Sequence, residues 1–218
     1  MISAPLTALN FWQSPNSLSA MSEGGWQLSK TTIDHIASHC GPVFSLVGGA
    51  SYGVLGMLVH PRPWDFILPN AVPAEVSADC ELIPFGAVKE MLAASMHEYL
   101  VMMLQIAQNT RQKVYQLEPP PPHAEAARIA PHIFWKLYPG MQHVVAPAAF
   151  RLKLWSLQSQ ILREQCSKYG VEFLPHPRRA SAPTGFLADD YFLDGAHANR
   201  AYGALVLEQI REIHDASV

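Results

Sequence analysis

The chain has 218 residues, of which 49% are hydrophobic and 15% are charged, and its formal net charge is −3. This composition predicts one compact domain over residues 1–218 that buries roughly 70% of the surface of the unfolded chain, and it excludes a disordered protein. Because no basic run is longer than Arg178-Arg179, the charge also argues against nucleic acid as a partner.

The cysteines and the apolar segments indicate in which cellular compartment the protein is expected. Cys40, Cys80 and Cys166 lie far apart and form no C-x-x-C pair, so they predict neither a disulfide framework nor a zinc site. The N-terminus does not have the pattern of a secretory signal, and no window approaches the ~20 apolar residues of a membrane span. We therefore expect a cytoplasmic protein that does not associate with membranes.

The first part of the chain carries weak signals for regular structure. Residues 1–29 are expected to be irregular, apart from a short strand at 7–12, because Ser, Pro, Asn and Gly follow it. Thr31 or Thr32 is predicted to cap a helix that ends at Gly41, where a left-handed residue closes many helices.

A continuous apolar run at residues 43–47 predicts a buried strand of a parallel sheet. The glycine-rich turn 48–53 would then lie at the carboxyl end of that strand. Residues 60–84 contain five prolines and predict a long surface excursion. One helix is predicted over 85–108, since apolar residues recur there at spacings of three and four.

The second half alternates strands and helices. A strand is predicted at 113–118, because four prolines follow it and cannot continue a ladder. Helices are predicted at 125–137 and from Pro147 to Gly170, and a strand is predicted at 171–174.

A last amphipathic helix contains Tyr202, Leu205, Val206, Ile210 and Ile213. Strands separated by crossovers of a dozen residues or more indicate right-handed parallel units. The expected fold is therefore α/β: a three-layer helix-sheet-helix sandwich with a mostly parallel sheet, flavodoxin-like in outline.

In such a fold, ligands bind at the carboxyl ends of the strands. Asp194 and His197 lie in the last of the loops expected there, and a carboxylate behind an imidazole fixes its tautomer and stabilises the imidazolium. The spacing alone fits an N-cap Asp beside an unrelated surface His better than it fits such a pair. Glu118 and His123 flank the four prolines, and they are expected either to line a substrate pocket or, for Glu118, to end a strand in solvent.

The order of these elements resembles the C-terminal part of the SGNH (GDSL-type) hydrolases. The resemblance covers about residues 40–214 and is most specific from the helix ending at Gly170 to the block that begins at Asp194. It implies that Asp194 is the triad Asp, that His197 is the general base, and that the reaction is ester hydrolysis by an attacking Ser. The implied substrates are small acyl esters, often acetylated carbohydrates or lipids.

The family's Gly-Asp-Ser and Gly-x-Asn-Asp blocks are not recognisable in this chain. One register places Gly48-Gly49-Ala50 at the second block, so Ala50 replaces the oxyanion Asn. The family's first strand and helix, with the nucleophile, would then precede Met1.

A second register keeps a nucleophile within the chain. The strand at 43–47 becomes the leading strand, and Gly49-Ala50-Ser51 replaces Gly-Asp-Ser. Ser51 is then expected to be exposed at the carboxyl end of the sheet as the nucleophile. Gly49 and Ala50 are expected to line the substrate pocket, and the backbone amides of Gly49, Ala50 and Tyr52 would bind the oxyanion.

We thus expect a Ser-His-Asp ester hydrolase. The alternative is a catalytically impaired family member that binds a carbohydrate or a protein. A nucleotide-binding domain is a distant third, because a G-x-G-x-x-G loop would need Gly where Ala50 stands. No cofactor and no metal are expected, since His35 and His39 have ligand spacing but no carboxylate partner.

Overall fold

A computed structural model describes residues 7–216, except for 12, 15, 23, 70–75, 77–78 and 134–139. Over this part the chain is mixed α/β, with seven α-helices and a small, partly parallel sheet. The strands are β1 Leu18–Ala20, β2 Trp26–Leu28, β3 Val43–Ser45, β4 Trp64–Asp65, β5 Glu81–Leu82, β6 Val114–Leu117 and β7 Glu172–Leu174. The helices are α1 Lys30–Ser38, α2 Tyr52–Gly56, α3 Phe85–Ser95, α4 His97–Gln108, α5 Ala126–Ile129, α6 Ala148–Tyr169 and α7 Arg200–Asp215.

The central sheet consists of three parallel strands in the order β3-β6-β7. Its register pairs Phe44 with Tyr115, and Leu117 with Leu174. All three strands fall where the sequence predicts them, although each is shorter than the apolar run that predicts it. Two smaller pairs lie outside this sheet: β1 and β2 are antiparallel, and β4 and β5 are parallel.

Apolar clusters lie on both faces of the central sheet, because side chains alternate along each strand. On one face, Phe44, Leu117 and Leu174 pack against the apolar side of α7. On the other face, Val43 and Val114 join a larger cluster with buried residues of α3, α4 and α6.

Helix α6 is the longest helix described, and it matches the predicted helix closely. It ends at Gly170, whose φ of 67° is left-handed, as expected for a residue without Cβ. Its buried face is unusually polar. Arg151, Lys153 and Gln158 are all buried on it, and their partners are loop atoms described below.

The predicted helix over 85–108 is wrong as a single element, because α3 and α4 meet at a break at Met96. Neither Pro nor Gly causes this break. Ser95 Oγ donates a hydrogen bond of 2.8 Å to the carbonyl oxygen of Leu92, and bonds of this kind compete with the helical ladder and bend helices.

Three other boundaries differ from the prediction. Helix α1 is capped by Ser29, whose Oγ accepts from the amide of Thr32, and α1 ends before His39 rather than at Gly41. Residues 7–11 form no strand, and Trp12 lies outside the described residues.

The predicted helix at 125–137 is only partly observed. Its described part is α5, followed by a short 3-10 turn at Ala130–His132. Residues 134–137 of this prediction lie outside the described residues. Among the described helices, none is both long enough and apolar enough to cross a membrane.

We expect Gly56→Ala to destabilise the protein, since a Cβ at Gly56 would overlap the Cδ1 atom of Leu154, which is fully buried. The expected loss is about 1–3 kcal/mol in the free energy of unfolding, measured by urea denaturation. Gly203→Ala in α7 is the matched control, because nothing lies within 4 Å of its added methyl group. This control should gain roughly 0.4–1 kcal/mol. Equal stabilities of the two variants would contradict the packing described for α2 and α6.

Candidate active site

Asp194 and His197 lie together in a tight turn before α7. One carboxylate oxygen of Asp194, Oδ1, accepts hydrogen bonds of 2.8 Å from the amides of Ala196 and His197. The ring Nδ1 of His197 lies 2.9 Å from Asp194 Oδ2. A carboxylate accepts only, so Nδ1 carries the proton and Nε2 is left as a proton acceptor.

The geometry therefore brings the predicted acid-base pair together, and the N-cap alternative is wrong. The N-cap of α7 is Asn199, whose Oδ1 accepts from the amides of Ala201 and Tyr202. The side chain of His197 is 73% exposed, so its ring is open to a solute. Burial raises the pKa of Asp194, but the hydrogen bonds from Ala196 and His197 outweigh burial and hold that pKa below its ordinary value.

Ser51 is buried, and the prediction that it is exposed is wrong. Its Oγ has no hydrogen-bond partner among the described residues. The cause is Gln158 of α6, which donates 3.0 and 2.7 Å hydrogen bonds to the carbonyl oxygens of Gly48 and Gly49. Gln158 also accepts a 2.7 Å bond from the amide of Tyr52, so this amide is not available as an oxyanion donor.

The turn that contains Ser51 is nevertheless a neighbour of the Asp194 loop. Gly195 lies against Met57, the residue that directly follows α2. Burial raises the pKa of Tyr52, and the charge of Asp194 raises it further. Of the other residues predicted for the pocket, Gly49 is exposed and Ala50 is half-buried in this turn.

Glu118 belongs to a chain of three hydrogen-bonded side chains. His176 Nδ1 lies 2.6 Å from Glu118 Oε2, and His176 Nε2 lies 2.6 Å from Ser181 Oγ. The backbone amide of His176 donates to the same Glu118 oxygen at 3.1 Å. We call this chain the 118–176–181 relay. Glu118 is not the solvated strand end that one interpretation allowed, because its side chain is only 5% exposed.

Sequence reasoning missed His176 and Ser181. The available signal was position, since His176 lies directly after β7, in a loop expected at the carboxyl edge of the sheet. Burial raises the pKa of Glu118, but hydrogen bonds from the ring of His176, the hydroxyl group of Ser159 and the amide of His176 outweigh burial, so that pKa lies below its ordinary value.

His123 is a buried histidine with both ring nitrogens occupied. Nε2 lies 2.7 Å from Asp189 Oδ1, and Nδ1 accepts from the amide of Glu125 at 3.2 Å. Phe192 covers the ring at a centroid distance of 4.6 Å. This arrangement leaves no surface of His123 for a substrate, so the pocket role predicted for it is not supported.

A cleft of about 610 Å³ opens beside the relay. Its walls include Trp155 and Phe85, and the polar groups of Glu118, His176, Ser159 and Arg163 also line it. The three cysteines are free thiols. The described residues include no group of three or more His, Cys, Asp or Glu side chains that could hold a metal ion.

No protein-family model, curated protein or solved structure matches the chain. The resemblance to SGNH hydrolases therefore rests on the residues and their order alone.

We expect Glu118→Gln to change how stability depends on pH. A carboxyl group with a lowered folded-state pKa stabilises the fold above its ordinary value of 4.5, and this contribution is lost as the pH falls through the folded-state pKa. The Tm of the wild type should therefore fall more steeply below about pH 4.5 than the Tm of the variant. Glu212→Gln, at an exposed position of α7, controls for the change in charge. Parallel Tm curves for the wild type and Glu118→Gln would contradict the prediction.

Proposed function

We propose that this chain has the three-layer helix-sheet-helix arrangement of an SGNH-type hydrolase and hydrolyses small carboxylic esters. Two observations support the fold: the parallel order β3-β6-β7, and the apolar clusters on both faces of the central sheet. The substrate class that the resemblance implies is an acyl or acetyl ester of a small alcohol or carbohydrate.

The observation that carries the proposal is the geometry of the Asp194–His197 pair. Asp194 binds the His197 ring and the backbone of the same turn, so the imidazole is held in one tautomer before any substrate arrives. In the reaction, Nε2 of His197 takes the proton of the attacking hydroxyl group. Asp194 then stabilises the imidazolium that forms.

Ser51 is the nucleophile in this proposal, and the turn that holds it must open first. The hydrogen bonds of Gln158 to Gly48, Gly49 and Tyr52 keep the turn closed. Because Ser51 Oγ has no partner in the described structure, exposing this hydroxyl group breaks no hydrogen bond of its own.

A second candidate is a non-catalytic member of the family that binds a carbohydrate or a protein. The burial of Ser51 favours it, as does the absence of any hydroxyl group bonded to His197 within the described residues. Such a protein would keep the fold and the exposed pair without turnover.

We expect His197→Ala to lower the rate of p-nitrophenyl acetate hydrolysis by about 10²- to 10⁴-fold, because a general base contributes a factor of this size. Asp194→Asn should also lower the rate, since its amide cannot stabilise the imidazolium. His35→Ala removes an exposed histidine of α1 and serves as the control with the wild-type rate. A wild-type protein that hydrolyses the ester at the same rate as His197→Ala would overturn the role of His197.

The second candidate makes a different prediction. The wild type should then hydrolyse the ester no faster than buffer, and an acetylated oligosaccharide should raise its Tm, because a ligand that binds only the folded state stabilises it. The deacetylated oligosaccharide is the matched control ligand. Measurable turnover that depends on His197 would exclude this candidate.

A further inference from the structure

Both ring nitrogens of His176 are engaged, one by a carboxylate and the other by a hydroxyl group. Since Glu118 accepts from Nδ1, Nε2 is the acceptor that faces the Ser181 hydroxyl. Nucleophile, base and orienting carboxylate thus lie in one hydrogen-bonded line, which is the arrangement that activates a serine. Of the three His–carboxylate pairs in the described structure, this pair alone has a hydroxyl group on its far nitrogen.

The relay is held by the backbone around it. Glu118 directly follows β6, and its amide donates to the carbonyl oxygen of Leu174 in the neighbouring strand. Ser181 forms a backbone bridge with Leu187, next to Ala180, which is fully buried. Because these backbone contacts hold the loop, the distance from Ser181 Oγ to His176 stays fixed. A nucleophile needs such a fixed distance to its base.

The cleft beside the relay indicates which ligand could enter. Trp155 and Phe85 form the aromatic part of the cleft wall. The ring of Trp155 packs edge-on against the ring of His176, at a centroid distance of 5.4 Å. Ser159, whose hydroxyl group helps to lower the pKa of Glu118, also lines the cleft. A ligand with a small apolar acyl group would cover the aromatic wall.

We propose that Ser181, His176 and Glu118 form a serine nucleophile site that is separate from the Asp194–His197 pair and takes small apolar carboxylic esters. His176 and Glu118 line the cleft, and Ser181 lies next to it, 2.6 Å from His176 Nε2. The site goes beyond the proposed function, because it uses neither His197 nor Ser51.

The reaction at this site consumes only the ester and water. Ser181 Oγ forms a bond to the ester carbonyl carbon while its proton moves to His176 Nε2. The bond from carbon to the alcohol oxygen then breaks, and the alcohol leaves with that proton. Water gives a proton to the same nitrogen and attacks the acyl-serine. The bond from carbon to Ser181 Oγ then breaks, Oγ takes the proton back from His176, and the carboxylic acid leaves, while Glu118 orients the ring throughout.

The test is covalent labelling of the full chain with an alkyl fluorophosphonate, which phosphonylates activated serines and releases fluoride. We expect a phosphonyl group that peptide mass spectrometry maps to Ser181. Ser181→Ala should abolish this label, and His176→Asn should slow labelling by about 10²-fold or more, since it removes the base. Thr184→Ala removes an exposed hydroxyl group of the same loop, and this variant should be labelled like the wild type.

Ser181→Cys is a second variant that tests the same site, because it keeps a small nucleophile at this position. In that variant, iodoacetamide should modify position 181 faster than it modifies exposed Cys40, because His176 promotes the thiolate. A folded wild type without label at Ser181 would overturn the proposal. A label at Ser51 instead would overturn it too, while supporting the proposed function. The His197→Ala ester assay is repeated in the Ser181→Ala background, where this second site cannot contribute, so either proposal can fail alone.

Discussion

The buried polar face of α6 holds several loops of the fold in place, among them the turn that contains Ser51. Gln158 binds the turn before α2, and Arg151 donates to the carbonyl oxygens of His123, Ala124 and Ala146. Lys153 forms a buried ion pair with Asp65 in the proline-rich excursion. Buried polar groups of this kind are costly without partners, so each one holds its loop in a single place.

Whether α6 binds a loop explains why the candidate sites differ in their exposure to solvent. The turn with Ser51 is drawn toward α6, and its hydroxyl group is buried. The Asp194–His197 turn is closed by its own backbone instead, and it stays open to solvent. The 118–176–181 relay lies between these cases, with a buried carboxylate at one end and a half-buried hydroxyl at the other.

The sequence predicts those features whose contacts join residues that are close along the chain, and it misses those whose contacts join distant residues. The Asp194–His197 pair is local, so its spacing of three residues makes it a candidate, and the resemblance to SGNH hydrolases favours it over the N-cap alternative. The three parallel strands were predictable because apolar runs and prolines are also local signals. Glu118 and His176 lie 58 residues apart, and only the pairing of β6 with β7 brings them together. The burial of Ser51 likewise depends on Gln158, more than 100 residues later, and no local pattern indicates such a contact.

The contacts of α6 also bear on how the chain can vary. Gln158 and Arg151 bind mainly backbone oxygens of the loops, and every residue type provides such an oxygen. Loop side chains at positions such as Ala124 can therefore be exchanged without loss of these bonds, whereas the helix positions cannot. The geometry of these loops is thus set by the side chains of α6 and the backbone of the loops, and not by the loop side chains.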